Sequence, residues 1–445
     1  MTRRALLASA LTSGCALPWQ QSDRRAPIIT PPVQTAVRFG PTRLRLVLAR
    51  EGHDTLDAAV RTALTNAARD LNYTLDLFDI AAFLPAGATT NTSDIARQLL
   101  VAVQAGVPPS GLLLLGRQAQ TVRLQEMGLL QEVSGLMRSA RARWGQAPEV
   151  GERTHVVAGN WFAAPLYQRL IGHWVRPERF AEVGLDPETA TATFPDLRAA
   201  VARLGGRWGV GPDDTPEADA WCWSVIHAWG GALTERGGDR VTLASAQTGA
   251  ALEWLAGTFR EARPVPSDER PAAFAAGDVA YLYTEGAPPP RGVLVTGPGG
   301  PAGPGARPKM VGGGAVWLLP RGAAPDPAER LWEALFQPAV QRELWRAGAG
   351  FALPFFEGHW SDTAVAQLPS QESVRRFRAL LAPGGFISDT GQLGKPTAAS
   401  QAVEAGRLAV RMVRAVLAGQ PVPDALAAGQ ADAEAIYKEH AFPEG

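Results

Sequence analysis

The sequence predicts an α/β fold, and three observations lead to this class. Residues 43–49 alternate between polar and apolar and then run apolar, which is typical of a β-strand. A helical segment capped by Asp54 continues through residue 70, and a second strand follows at residues 73–80. The chain has 445 residues and is 46% hydrophobic, which is enough to fill two or three domain cores. Strand, helix and strand in this order form a βαβ unit with parallel strands.

The segments that follow extend the same sheet. Residues 93–105 predict a helix, the apolar run at residues 112–115 predicts a strand, and residues 118–127 predict another helix. Much further along, residues 328–336 predict a helix. The glycine-rich stretch at residues 297–305 predicts a surface loop, because its prolines lack the N–H groups that would hold a phosphate.

The first residues predict export. Two arginines at residues 2–4 precede an apolar run at residues 5–11, and small residues lead to Cys15. Because this run is too short to span a membrane, residues 1–15 are interpreted as an export signal. Its end resembles a bacterial lipobox, in which Cys15 would be lipidated, and its start resembles a twin-arginine signal, so the export route stays open. Residues 16–41 are interpreted as a proline-containing tether.

Composition argues against several functional classes. Lysine plus arginine and aspartate plus glutamate both number 43, so the chain has no net charge and predicts no nucleic-acid partner. Besides Cys15 the chain has only Cys222, so a mature protein has no disulfide framework. The six histidines lack metal-ligand spacing, and the common hydrolase motifs are absent from the sequence. We therefore expect no metal, no cofactor and no enzymatic activity.

Three tryptophans within nine residues, Trp221, Trp223 and Trp229, are followed by two glycines. Trp221 and Trp223 cannot share one helical face, so at least one of these rings is expected to line a cleft or the surface. Flat rings in a cleft suit stacking on a sugar. The alternative, that all three rings pack in a core, stays open.

Six blocks of sequence follow one another in the order of a known family. They lie at residues 106–136, 163–185, 193–231, 273–281 (AFAAGDVAY), 313–320 (GGAVWLLP) and 348–354 (GAGFALP). Together they resemble the extracellular solute-binding proteins of ABC transporters, of the sugar-binding, maltose-binding-protein-like type (family 1). In the third block, Thr193 stands where the family opens a helix.

The resemblance implies a periplasmic-binding-protein-like fold with two α/β lobes, a hinge and a ligand cleft between the lobes. The first lobe is placed at residues 42–160 plus 297–345, and the second at 164–292 plus 350–440. Crossings are expected near residues 163–167, 292–296 and 348, where glycines suit a hinge. The implied protein is a monomer that works in the periplasm or at the outer face of the cytoplasmic membrane. It would deliver a solute, a sugar or oligosaccharide, to the permease subunits of an ABC importer.

Sugar binding needs aromatic faces together with carboxylate, amide and guanidinium groups, and open α/β sheets bind ligands beyond strand carboxyl ends. The candidate contact residues chosen on these grounds are Glu51, Gly116, Arg117, Gln118, Tyr167, Asp214, Trp221, Trp223, Tyr283, Glu285 and Trp317. Two tryptophans frequent in the family are missing, one at Ala315 and one after Tyr283, and these differences argue against a maltodextrin ligand.

A function from another class stays open. An exported carbohydrate-active hydrolase needs two carboxylates at cleft spacing, and Asp213, Asp214 and Glu285 are the candidates for that role.

Overall fold

A computed structural model describes residues 42–440 with internal gaps. The gaps are residues 51–52, 87–91, 116–120, 170–171, 236–237, 239, 285–291, 295–300, 305–309, 312–313, 370, 382–385 and 388–395. The expected export signal, Cys15 and the tether all lie outside the described residues. None of the described helices is both long enough and apolar enough to cross a membrane.

The described strands are short and spread over the whole chain. They are β1 (Thr42–Leu48), β2 (Tyr73–Asp79), β3 (Gly111–Leu115), β4 (Val156–Val157), β5 (Asn160–Trp161), β6 (Ala164–Arg169), β7 (Gly172–Val175), β8 (Arg207–Trp208), β9 (Arg263–Pro264), β10 (Tyr281–Thr284), β11 (Val293–Leu294), β12 (Met310–Val311), β13 (Gly314–Leu318), β14 (Ala352–Leu353) and β15 (Phe386–Ile387).

The described helices alternate with the strands in the first part of the chain and dominate its last part. They are α1 (Asp54–Asp70), α2 (Ile80–Phe83), α3 (Thr92–Gln104), α4 (Thr121–Glu126), α5 (Ser134–Trp144), α6 (Glu149–His155), α7 (Pro177–Glu182), α8 (Pro187–Ala190), α9 (Phe194–Arg203), α10 (Pro216–Ala228), α11 (Ala246–Glu261), α12 (Arg270–Ala276), α13 (Pro325–Leu335), α14 (Pro338–Ala347), α15 (Thr363–Ala366), α16 (Gln371–Leu380), α17 (Ala398–Ala405), α18 (Leu408–Leu417) and α19 (Val422–Glu439). A 3₁₀ helix, Glu357–Ser361, precedes α15.

The βαβ unit predicted at the start of the chain is confirmed. Strand β1 pairs in parallel with both β2 and β3. Helix α1 begins at Asp54 as expected, but its cap is His53, whose ring accepts a hydrogen bond from the backbone N–H of Leu56. Asp54 is instead an acidic residue of the first turn, where its charge interacts favourably with the helix dipole.

Six strands form the larger sheet, in the order β14-β6-β13-β3-β1-β2. Strand β13 runs antiparallel to β3 and to β6, so β6 points in the same direction as β1 and β3. We call this sheet, with the helices that pack on it, the first lobe. Its apolar interior has two parts, one that includes Leu46 and Trp332 and one that includes Leu114 and Leu124.

A three-stranded antiparallel sheet, in the order β10-β7-β11, forms the centre of the second lobe. Its core joins this sheet to α9, α10, α11 and α18, and it contains many aromatic rings. A further apolar cluster lies on the opposite face of the sheet, where Trp174 and Leu282 meet Phe377 of α16. The smaller sheet is therefore covered by helices on both faces.

The sheet pairing locates the passages between the lobes more narrowly than the sequence did. Strand β6 pairs with β13 of the first lobe, although the sequence analysis placed residue 164 in the second lobe. The first passage therefore falls between Arg169 and Gly172. Strand β14 pairs with β6 and also belongs to the first lobe, so the last passage follows residue 353. Residue 302 was predicted to lie in the first lobe, but Ala302 exchanges backbone hydrogen bonds with residues 192 and 194 of the second lobe.

Candidate functional site

The first wall of the candidate site is the edge where the parallel strands of the larger sheet end. Strands β1, β3 and β6 have one direction and end at Leu48, Leu115 and Arg169. The carboxyl ends of parallel strands are where open α/β sheets bind ligands, because loops of different strands converge there. Glu51 and residues 116–118, predicted as contacts, follow two of these ends in sequence and lie outside the described residues.

The second wall is an edge of the smaller sheet. Strand β7 begins at Gly172, shortly after β6 ends, and Thr284 at the end of β10 pairs with Gly172. Because the passage from β6 to β7 is short, this edge must adjoin the carboxyl edge of the first sheet. The two sheets thus present their edges to one region, which is where a solute could contact both lobes. Glu285, another predicted contact, follows β10 and lies outside the described residues.

A cation and two rings stand at the first wall. Arg169 is only 8% exposed, and its guanidinium lies 5.2 Å from the ring centre of Phe351. His53, just after β1, stacks on Phe351 with ring centres 6.1 Å apart and an angle of 4°. These residues were not among the predicted contacts, although the polar pair of Gln168 and Arg169 interrupts an otherwise apolar run and could have marked this position.

A buried hydrogen-bonded network backs the second wall. The indole N–H of Trp221 donates to the hydroxyl of Tyr281 at 2.7 Å, and that hydroxyl lies 2.7 Å from Nδ1 of His173. Burial lowers the pKa of His173 to about 3 and raises that of Tyr281, so both groups are neutral near pH 7. A neutral, hydrogen-bonded network of this kind fixes side-chain positions rather than transferring protons.

Two of the predicted contact tryptophans lie in a core. Trp221 and Trp223 are both 0% exposed, and every residue from Ala218 to Ala228 is buried. The expectation that helix α10 buries only one stripe is wrong, because α11, α18, β10 and β12 pack around it. Trp229, at the end of the helix, is half-buried and packs against Trp254.

The other aromatic candidates are also buried. Tyr167 and Trp317 belong to the core of the first lobe and are 1% exposed. Tyr283 belongs to the core of the second lobe, where its ring lies 5.1 Å from that of His173. Tyr283 stands one residue from the end of β10, so of these three it is the one closest in sequence to the second wall.

The two described carboxylates among the hydrolase candidates, Asp213 and Asp214, are engaged in ion pairs. Asp213 pairs with the buried guanidinium of Arg270, and Asp214, 62% exposed, pairs with Arg407 at 2.8 Å. These interactions hold the loop before α10 against α12 and the start of α18. Among the described residues, no cluster of histidine, cysteine and carboxylate side chains could hold a metal ion.

Comparison with solved structures identifies the fold of this chain. No protein-family model matches the chain, and no curated protein is similar to it in sequence. Maltose-bound MalE3 of T. maritima matches 89% of this chain and 100% of its own, with a TM-score of 0.68 and 14% identity. The laminaribiose-bound sugar transporter of Arthrobacter chlorophenolicus A6 matches 88% and 99%, with a TM-score of 0.69 and 15% identity.

A third similar structure carries a different kind of ligand. UgpB from Mycobacterium tuberculosis, in complex with glycerophosphocholine, matches 90% of this chain and 99% of its own, with a TM-score of 0.67 and 16% identity. Likeness at these identities shows the fold alone. The chain has the two-lobed α/β fold of these binding proteins, which confirms the predicted fold class.

Proposed function

We propose that this chain is a solute-binding protein that captures a small solute, a sugar or polyol, between its lobes and delivers it to an ABC importer. The observation that carries the proposal is the meeting of two sheet edges at the passage between β6 and β7. A solute held there contacts both lobes, so binding can drive hinge closure. The fold shared with binding proteins for maltose and laminaribiose supports the same function.

The proposed contact residues follow the strand ends. They are Glu51, Gly116, Arg117 and Gln118 on the first lobe, and Glu285 on the second, with Arg169 added from the geometry of the first wall. Carboxylate, amide and guanidinium groups suit the hydroxyls of a sugar or polyol. The buried Trp221, Trp223, Tyr167 and Trp317 would support the walls from behind rather than touch the solute.

Export and attachment stay proposals drawn from the first residues of the sequence. In this proposal the protein works outside the cytoplasmic membrane, held there by a lipid on Cys15, with the permease subunits as its partner. No observation in the described residues favours the hydrolase alternative, since Asp213 and Asp214 are both ion-paired.

A two-stage experiment tests the proposal. The full chain is first screened by thermal shift against sugars, polyols and polyamines, since a ligand at a hundredfold excess over Kd stabilises the native state by about 2.7 kcal/mol. In a chain of this size that corresponds to a shift of a few degrees. X-ray scattering with the best compound should then show a smaller radius of gyration.

Three controls separate the alternatives. Asp432→Asn, which changes an exposed ion-paired carboxylate on α19, should bind the compound as the wild type does. Release of product from a glycoside panel would favour the hydrolase. A melting shift without compaction would mean that the compound binds one lobe only, and the transport function would lose its mechanism.

A further inference from the structure

Helices α4 and α17 belong to different lobes and yet pack against each other. Leu124 of α4 lies in the first-lobe core with Ile95 and Val316. Val403 of α17 lies in the second-lobe core with Trp223. Their contact therefore bridges the lobes directly, in addition to the chain passages between them.

A hydrogen bond joins the two helices at this contact. The backbone N–H of Arg123 in α4 donates to Oε1 of Gln401 in α17 at 2.9 Å. In the other direction, the carboxylate of Glu126 in α4 faces the start of α17 at Ala398. The first N–H groups of a helix have no partner inside that helix. Gln401 of α17 thus supplies an acceptor for a backbone group that α4 cannot satisfy itself.

Helix α17 begins with a cap of its own. Its cap is a reciprocal pair, in which Thr397 accepts from the N–H of Ser400 and Ser400 accepts from the N–H of Thr397. Gln401 is 2% exposed, so its amide has few alternative positions. The interlobe hydrogen bond from Arg123 to Gln401 therefore depends on lobe position rather than on local helix formation.

Charged groups around the contact belong to both lobes. The guanidinium of Arg123 faces Glu439 and His440 at the end of α19. Burial lowers the pKa of Arg123 and of His440, and partial burial raises the pKa of Glu126. These shifts have the sign expected for groups that lose water when two surfaces come together.

We infer that α4 and α17 form an interlobe clasp, with Glu126 and Gln401 as positioning residues that favour the interlobe arrangement seen here before any solute is bound. The effect of the clasp on affinity rests on the proposed function. A protein that is binding-competent for only a fraction of the time has its affinity reduced by that fraction. The clasp would raise the binding-competent fraction of the protein, and it would therefore raise the affinity for any solute.

The test uses the full chain without solute and the double variant Glu126→Ala/Gln401→Ala. We expect a larger radius of gyration by X-ray scattering and faster hydrogen exchange at the amide of Arg123, by about fivefold for the lost hydrogen bond. The conservative variant Glu126→Gln keeps an acceptor oxygen at that position and should behave as the wild type does. Gln125→Ala, on the same helix, is the matched control.

Several outcomes would overturn the clasp. One is an alanine double variant that keeps the wild-type radius of gyration and exchange rates. If that variant unfolds, Gln401→Ala alone, which leaves the Thr397 cap intact, decides the question at the Arg123 amide. Failure of the proposed function gives a different result. In that case the alanine double variant has a larger radius of gyration, but the chain binds none of the screened solutes, so the clasp stands and the proposed function does not. If the chain binds solute but the double variant keeps the wild-type radius of gyration, the clasp does not exist.

Discussion

Trp223 is a residue whose contribution to stability can be separated from any contribution to solute binding. Its side chain is fully buried on α10, and its nearest described ring neighbour is His227, with centres 6.1 Å apart. In the described part of the chain the indole N–H has no hydrogen-bond partner. A ring enclosed in this way contributes to folding through its buried area rather than through contact with a solute.

We therefore expect Trp223→Ala to lower the free energy of unfolding by ~3–5 kcal/mol, because a large cavity would remain in the core. Affinity for the solute per folded molecule should change little. Urea unfolding and titration calorimetry measure the two quantities separately. Trp223→Phe, which keeps an apolar ring, is the milder control, and a large loss of affinity at unchanged stability would return Trp223 to the binding site.

At the scale of elements, one helix supplies the cap of another. Helix α18 begins after Arg407, which has a left-handed φ of 50° and makes no capping hydrogen bond with its side chain. The acceptor comes from α10 instead, where Oδ1 of the fully buried Asp219 receives the N–H of Val410 at 3.1 Å. The start of α18 thus depends on a residue 191 positions earlier in the chain.

Replacing Asp219 by alanine should cost ~1–2 kcal/mol of stability, the usual range for loss of a helix cap. Hydrogen exchange in the first turn of α18 should rise, with the Val410 amide most affected. Asp219→Asn keeps an acceptor oxygen and should retain most of the stability. Equal urea midpoints for Asp219→Ala and the wild type would show that the cap contributes nothing measurable.

For the whole molecule, two buried histidines make stability depend on pH. Burial lowers the pKa of His155 and of His173 from 6.5 to about 3, and the Nδ1 of His155 lies 2.9 Å from the hydroxyl of Thr121. Between these pH values the unfolded chain binds protons that the native chain does not. Stability from these groups is therefore complete above the unfolded pKa and is lost as the pH falls towards the folded pKa.

We expect urea midpoints to fall as the pH is lowered from 7 to 4, with each histidine adding up to about 1.4 kcal/mol per pH unit below its unfolded pKa. His155→Gln should reduce the slope by the share of one group, because a glutamine takes up no proton. An unchanged slope in His155→Gln would mean that His155 titrates normally in the native protein.

The first elements of the chain could be predicted because their signals are local. Alternation and apolar runs marked β1, β2 and β3. The start of α9 at Thr193, by contrast, was expected from the family resemblance, and Thr193 is its cap. Of the candidate site, the sequence located the residues that follow strand ends, since a strand end is itself a local feature. It did not find Arg169 or Gln401, whose roles depend on partners far away in the chain.

The sequence by itself determined the first βαβ unit and, through its resemblance to a known family, the two-lobed α/β fold. Only the tertiary structure decided that α10 is buried on every side, because the helix α18 and strand β10 that cover it lie far from it in sequence. It also decided where the chain passes between the lobes and which helices touch across them. The physical reason is that periodicity reports a preference for an interior, while burial depends on which distant elements form that interior.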